Sequence, residues 1–84
     1  MNKLKHDDNY YIDLIRYNIK RIRNERRLTQ QILADLSGIS MNYLAKIESN
    51  KMKRGLSIVT LGRIADALNI SIKEFFNDLE DNEE

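Results

Sequence analysis

The chain has 84 residues, with 14 Lys or Arg against 13 Asp or Glu, one histidine, no proline and no cysteine. This length sets a single domain, with a core burying a little over ~60% of the surface of the unfolded chain. The lack of cysteine excludes disulfides, zinc fingers and thiol chemistry. His6 lies alone in a polar stretch and reads as an exposed residue, so neither a metal nor a cofactor is expected. No apolar run approaches the ~18 residues of a membrane span, and no signal-peptide pattern precedes the first helical segment. A cytoplasmic protein without membrane contact is therefore expected. The net charge of +1 hides an asymmetry: residues 1–54 carry 12 basic and 6 acidic side chains, and residues 55–84 carry 2 and 7. Such a split suits a basic face for a polyanion beside an acidic tail, although solvated surface charge gives the same pattern.

No Val/Ile/Thr-rich alternation bounded by turns appears, whereas helical spacing recurs, so the fold reads as all-α. Residues 1–8 are polar and expected to be flexible. A first helix is predicted from Asn9 or Tyr10 to Arg26. Ile12, Ile15, Ile19 and Ile22 form one apolar stripe, and Arg16, Lys20, Arg21, Arg26 and Arg27 occupy the other faces. Leu28 precedes Thr29, a hydroxyl suited to an N-cap. A second helix follows over Gln30–Leu36 with Leu33, Ala34 and Leu36 inward, closed by Gly38 in the left-handed region that glycine adopts cheaply. Ser40 caps a third helix from Met41 to about Ser49 that buries Leu44 and Ile47. A basic loop fills residues 50–56.

Ser57 caps a fourth helix to Leu68, with Ile58, Leu61, Ile64, Ala65 and Leu68 inward. Gly62 lies inside it at a cost of about 1 kcal/mol relative to Ala; close helix packing is one explanation and drift another. Ser71-Ile-Lys-Glu74 has the form of a capping box, which starts a fifth helix over Ile72–Leu79. Residues 78–84 are nearly all acidic and read as a disordered tail. The expected layout is a flexible 1–8, a folded 9–77 and a tail 78–84.

Two short helices meeting across a Gly-containing turn make a helix-turn-helix, and in DNA-binding versions the second helix enters the major groove. The motifs are Ile19-Lys-Arg-Ile-Arg23, Leu28-Thr-Gln-Gln-Ile-Leu-Ala34, Ser37-Gly-Ile-Ser40, Ile47-Glu48, and Leu61 through Ser71 followed by Phe75-Phe76. On these, the stretch from Ile15 to Phe76 resembles the Cro/phage-repressor, or XRE-like, helix-turn-helix domain. The resemblance implies a compact five-helix, lambda-repressor-like bundle. The small size and the run Asn42-Tyr-Leu-Ala-Lys-Ile-Glu48 are similar to restriction-modification controller proteins and to small phage or plasmid repressors. Three positions depart from the family pattern. Ile32 stands where a polar residue is usual, either as an exposed apolar spot or tucked against the first helix. Leu56 lies near where Pro is frequent. Asn69 replaces a frequent Gly, and Asn tolerates the same left-handed backbone.

The resemblance implies a sequence-specific regulator of transcription that binds double-stranded DNA as a homodimer on a palindromic operator. With Leu44 and Ile47 facing the core, Met41, Asn42, Ala45 and Lys46 point outward. Met41, Asn42 and Lys46 match the family's base-reading positions. Asn can pair with adenine, Lys can donate to guanine, and Met can touch a thymine methyl. For the DNA backbone, Gln30 opens the second helix, where free N–H groups and the helix dipole favour a phosphate. Asn50, Lys51, Lys53 and Arg54 can clamp the strand after the third helix, and Arg26 and Arg27 are weaker candidates. Tyr43 either donates its hydroxyl to a phosphate or packs flat against the second helix.

By resemblance again, Arg23 and Glu48 match a semi-buried ion pair holding the third helix at its docking angle. The expected dimer surface is Ile70, Ile72, Phe75, Phe76 and Leu79. The monomer core is the alternative place for either Phe ring, and one ring in each place is expected. No small-molecule effector is expected in a chain of this size. An enzyme is not indicated, because no carboxylate pair, nucleophile–His arrangement or Gly-rich phosphate loop is visible. The rival reading is a protein-interaction module, antitoxin-like or a coactivator subunit, that keeps the fold without specific DNA binding. The positive charge at Lys46, Lys51, Lys53 and Arg54 argues against it.

Overall fold

A computed structural model describes residues 5–49, 51 and 56–78. Helix α1 spans Asp8–Glu25, α2 Gln30–Ser37, α3 Met41–Glu48 and α4 Ile58–Leu68, followed by a 3-10 helix at Ile72–Phe76. Among the described residues there is no strand, so the all-α reading holds. Expectations about residues 1–4, 50, 52–55 and 79–84 lie outside the described residues.

Each helix starts and stops for local reasons. Asp7, Thr29, Ser40 and Ser57 are extended N-caps whose side-chain oxygens accept backbone N–H bonds from Asn9, Ile32, Tyr43 and Thr60. Each such bond satisfies one of the donors a helix leaves open at its start. Gly38 (φ +71°) closes α2 and Asn69 (φ +58°) closes α4, both left-handed as the sequence predicted. The end of α1 has the same form: Leu28 N–H donates to the Arg23 carbonyl at 3.1 Å and Arg27 N–H to the Asn24 carbonyl at 3.0 Å. The left-handed residue there is Arg27, at φ +59°. An L-residue with a β-carbon gives up roughly 1–2 kcal/mol in that conformation.

The core lies between α1 and the other elements. It comprises Ile15, Ile19 and Ile22 of α1, Leu33 and Ala34 of α2, Leu44 and Ile47 of α3, Leu61, Ile64, Ala65 and Leu68 of α4, and Phe75. α2 packs on α4 and α3, while α1 packs on α3 and on the 3-10 helix. Two inward assignments are corrected. Leu36 is 60% exposed, because buried Ser37, not Leu36, completes the inward arc with Leu33 and Ala34. Ile58 is 67% exposed. Its angular position matches the α4 stripe, but as the helix's first residue it lies beyond the layer that starts at Leu61. Ile32 is exposed, which settles its alternatives in favour of a surface position.

The expected fifth α-helix is replaced by the five-residue 3-10 turn. Among the described residues the fold is thus four α-helices and a 3-10 turn, without a fifth α-helix. Asn18 supplies the reason. Fully buried on α1, it donates its side-chain N–H groups to the carbonyls of Phe75 and Asn77, each at 2.9 Å. A continuing α-helix would direct the Phe75 carbonyl to an N–H four residues on, so its capture favours a stop. Beyond it Asn77 is extended (φ −68°, ψ 124°). Ser71 caps the turn, but Glu74 does not close the expected box; its carboxylate accepts from the Asn77 side-chain amide at 2.9 Å.

At Gly62, a β-carbon would meet nothing within 4 Å. Close packing therefore does not explain this glycine. Gly62→Ala should raise stability by about 1 kcal/mol through helix propensity alone. For a domain of this size that is an increase of ~4–8 °C in the midpoint of a thermal melt followed by circular dichroism; an unchanged or lower midpoint would contradict the open space.

Candidate nucleic-acid interface

The recognition candidate, α3, is only two turns long, so its placement depends on its neighbours. Its start is set by Ser40, whose hydroxyl accepts the Tyr43 N–H at 3.0 Å. Its underside is set by Leu44 (0% exposed) and Ile47 (2% exposed), both in the core. On the opposite side Met41, Asn42 and Lys46 are exposed and Ala45 is half-buried at the edge. Tyr43 is half-buried and packs against the core.

The far end of α3 is held by charge. Glu48 is 3% exposed, and Arg23 of α1 meets it with two parallel hydrogen bonds, Nε to Oε2 at 2.7 Å and Nη2 to Oε1 at 2.9 Å. This fork-to-fork pairing fixes direction as well as distance. Arg23 also donates to the Leu28 carbonyl at 2.7 Å, which fixes the approach to α2. The expected ion pair is present in this structure, and it is larger than the sequence indicated. Gln30, the first residue of α2, donates its side-chain N–H to Glu48 Oε1 at 3.0 Å, and Arg16 donates to the Glu48 carbonyl at 3.3 Å.

One carboxylate therefore gathers α1, α2 and α3. The amide of Gln30, expected on a phosphate, is turned inward here. Neither the Gln30 nor the Arg16 contact was read from the sequence. A signal for Arg16 existed: it lies seven residues before Arg23, on the same edge of α1.

Beyond α3, Lys51 is exposed and its N–H donates to the Lys46 carbonyl at 3.2 Å. Asn50, Lys53 and Arg54 lie outside the described residues. On the C-terminal side, Ile70 and Ile72 are half-buried at the rim of the core and Phe76 is 42% exposed. Phe75 is 0% exposed and belongs to the monomer's interior, which corrects its assignment to a surface. The aromatic pair is thus split, one ring inward and one outward. Leu79 lies outside the described residues. Among the described residues no group of His, Cys, Asp and Glu is arranged to hold a metal ion, and no helix is long and apolar enough to cross a membrane.

The model of the helix-turn-helix family matches residues 19–75. The chain belongs to this family. It is 46% identical over 54 residues to the immunity repressor protein of Bacillus phage phi105, a match covering 64% of this chain and 36% of that protein. The chain thus spans little more than a third of the phage protein. It is 32% identical over 60 residues to control protein C.SmaI of Serratia marcescens, covering 71% of this chain and 69% of that one. The crystal structure of the restriction-modification controller protein C.AhdI from Aeromonas hydrophila superposes with a TM-score of 0.71 at 29% identity, over 77% of this chain and 96% of that one. The resemblance to phage repressors and controller proteins drawn from the motifs agrees with all three.

Removing one partner of a buried ion pair strands the other charge and costs ~3–5 kcal/mol. Glu48→Ala should therefore unfold or loosen the domain, whereas Lys46→Ala, on the exposed face of the same helix, should change stability by less than about 0.5 kcal/mol. Parallel thermal melts of the two variants test this, and a Glu48→Ala midpoint equal to wild type would refute the role of the pair.

Proposed function

We propose that this helix-turn-helix protein is a regulator of transcription that binds double-stranded DNA as a homodimer, with α3 in the major groove of each half-site. The observation that carries the reading is the state of α3. Its two apolar side chains are buried, its carboxylate end is fastened to α1 and α2, and Met41, Asn42 and Lys46 remain exposed on one side. Asn42 reads adenine through its amide, Lys46 donates to guanine O6 or N7, and Met41 contacts a thymine methyl. Lys51, with Asn50, Lys53 and Arg54 near it in sequence, and the backbone N–H groups at the start of α2 supply contacts to phosphates. These position the protein without reading sequence.

The names of the similar proteins, a phage immunity repressor, a control protein and a restriction-modification controller protein, support a regulatory role. Ile70, Ile72, Phe76 and Leu79 form the surface through which two copies associate. The two α3 helices then enter half-sites about 34 Å apart, so the operator is palindromic.

A second reading, a protein-interaction module, draws support from the exposed apolar side chains Leu36, Ile58 and Val59. Gel shift on random duplex at low salt separates the two, since only the DNA-binding protein retards the duplex. Selection of bound sites from a random duplex pool should return an inverted repeat. Asn42→Ala should weaken binding to that site by ~1–3 kcal/mol per half-site while leaving random-duplex affinity nearly unchanged. Recovery of no enriched site, or an equal loss on both duplexes, would overturn base reading by α3.

A further inference from the structure

The α1 helix carries a line of cations that the recognition face does not use. Arg16, Lys20 and Arg23 follow one another at spacings of four and three, which places them on one edge of the helix. Arg27 stands two residues beyond its end. This edge adjoins α3, because Arg16 reaches the Glu48 carbonyl and Arg23 the Glu48 carboxylate. The acids near α1 are distributed unevenly against it. Asp13 lies 3.7 Å from Arg16, Glu25 pairs with Arg21 at 3.0 Å on another face, and Glu48 takes Arg23. Lys20 and Arg27 are exposed and enter no ion pair among the described residues. The same is true of Lys46 and Lys51 on α3 and after it.

We infer that Lys20 and Arg27 form a second line of contact to the phosphate backbone, beside the strand that the α3 loop engages. This rests on the DNA-binding reading above and extends it to a helix outside the helix-turn-helix. Lys20 lies on an edge fastened to α3, and Arg27 follows directly on the end of the same helix, so the backbone that carries both is fixed relative to any duplex that α3 enters. A phosphate strand running past that edge finds charge already placed, and each cation that meets a phosphate releases a condensed counterion. The edge reads no bases. It adds affinity to every sequence and fixes the angle at which α3 lies in the groove.

Arg27 makes the test sharp, because its charge and its backbone pull in opposite directions. It holds a left-handed conformation at the position where a helix most often ends in glycine. Arg27→Gly should therefore raise the melting midpoint while weakening DNA binding, an outcome that a purely structural residue would not give. Each substitution removes one cation from either protomer, two per bound dimer, and should make the slope of log K against log salt shallower by about 1.8, or about 60-fold at 0.1 M relative to 1 M salt. The weakening should be the same on the selected operator and on random duplex. Lys20→Gln should behave alike in binding without the gain in stability, and Arg27→Lys should keep wild-type slope and affinity.

Fluorescence anisotropy across a salt series on both duplexes reads all of the binding effects, and a thermal melt reads the stability. Unchanged slopes in Arg27→Gly and Lys20→Gln, with wild-type protein binding normally, would overturn the α1 contact and leave the α3 reading standing. If wild-type protein binds neither duplex at low salt, the DNA-binding reading fails and this inference falls with it. A weakening confined to the operator would also overturn it, since phosphates carry no sequence.

Discussion

The arrangement of this domain depends on where the carboxylate of Glu48 sits. α2 and α3 are eight residues each, too short to hold their own shape in water, let alone a fixed angle to one another. Apolar contacts decide which face of α3 turns inward but leave its tilt and rotation soft, since Leu44 and Ile47 are only two points on a rod. A carboxylate that is 3% exposed is different. It must be paired, because an unpaired buried charge costs several kcal/mol, and the fork of Arg23 with the amide of Gln30 satisfies it in one geometry only. Tilt and rotation of α3 are then set by directional bonds from two other helices. The residue that most constrains the proposed recognition helix thus lies at its far end from the exposed Met41 and Asn42, buried inside the protein.

Much of the fold was legible because its signals are local. Hydroxyl caps at Thr29, Ser40 and Ser57 and left-handed closures at Gly38 and Asn69 act within one turn of chain, so neighbouring residues suffice to predict them. Apart from the unclosed box at Ser71–Glu74, the failures are tertiary. Periodicity gives the angle of Leu36 and Ile58 around their helices, but not that Ser37 takes the inward place beside Leu33 or that the α4 layer begins at Leu61. A doublet such as Phe75-Phe76 states that one ring goes in without saying which. The false fifth helix is the clearest case. Its local signals, a cap at Ser71 and apolar residues after it, were real, but the carbonyls needed to continue it are taken by an amide 57 and 59 residues earlier in the chain. Nothing near Phe75 reveals that.

The candidate interface divides along the same line. The exposure of Met41, Asn42 and Lys46 follows from the burial of Leu44 and Ile47, which the sequence pattern already implied. The Arg23–Glu48 pair was visible only through resemblance to a family, because 25 residues separate the partners and their charges alone do not select one another among 27 ionisable Lys, Arg, Asp and Glu side chains. The inward turn of Gln30 escaped both routes. An amide at the start of a helix reads equally well as a phosphate donor or as a strut, and only the position of Glu48 distinguishes them.

α1 emerges as the part through which the two proposed surfaces communicate. Ile15, Ile19 and Ile22 face the core, and the polar side chains on either flank of that stripe point to opposite ends of the molecule's work. On one flank Arg16 and Arg23 grip the end of α3. On the other, Asn18 holds the carbonyls that terminate the 3-10 turn, and Tyr10 donates its hydroxyl to Asp78 just beyond it. The turn presents Phe76 outward. A single 18-residue helix therefore joins the recognition face to the proposed dimer face without an intervening loop. In a dimer, the separation of the two recognition helices is the sum of two such rigid spans. A small angular error in α1 would be doubled across the symmetry axis and would displace one α3 from its groove. The buried polar bonds on both flanks are a direct way to suppress that error, because they fix angles that apolar packing alone leaves adjustable.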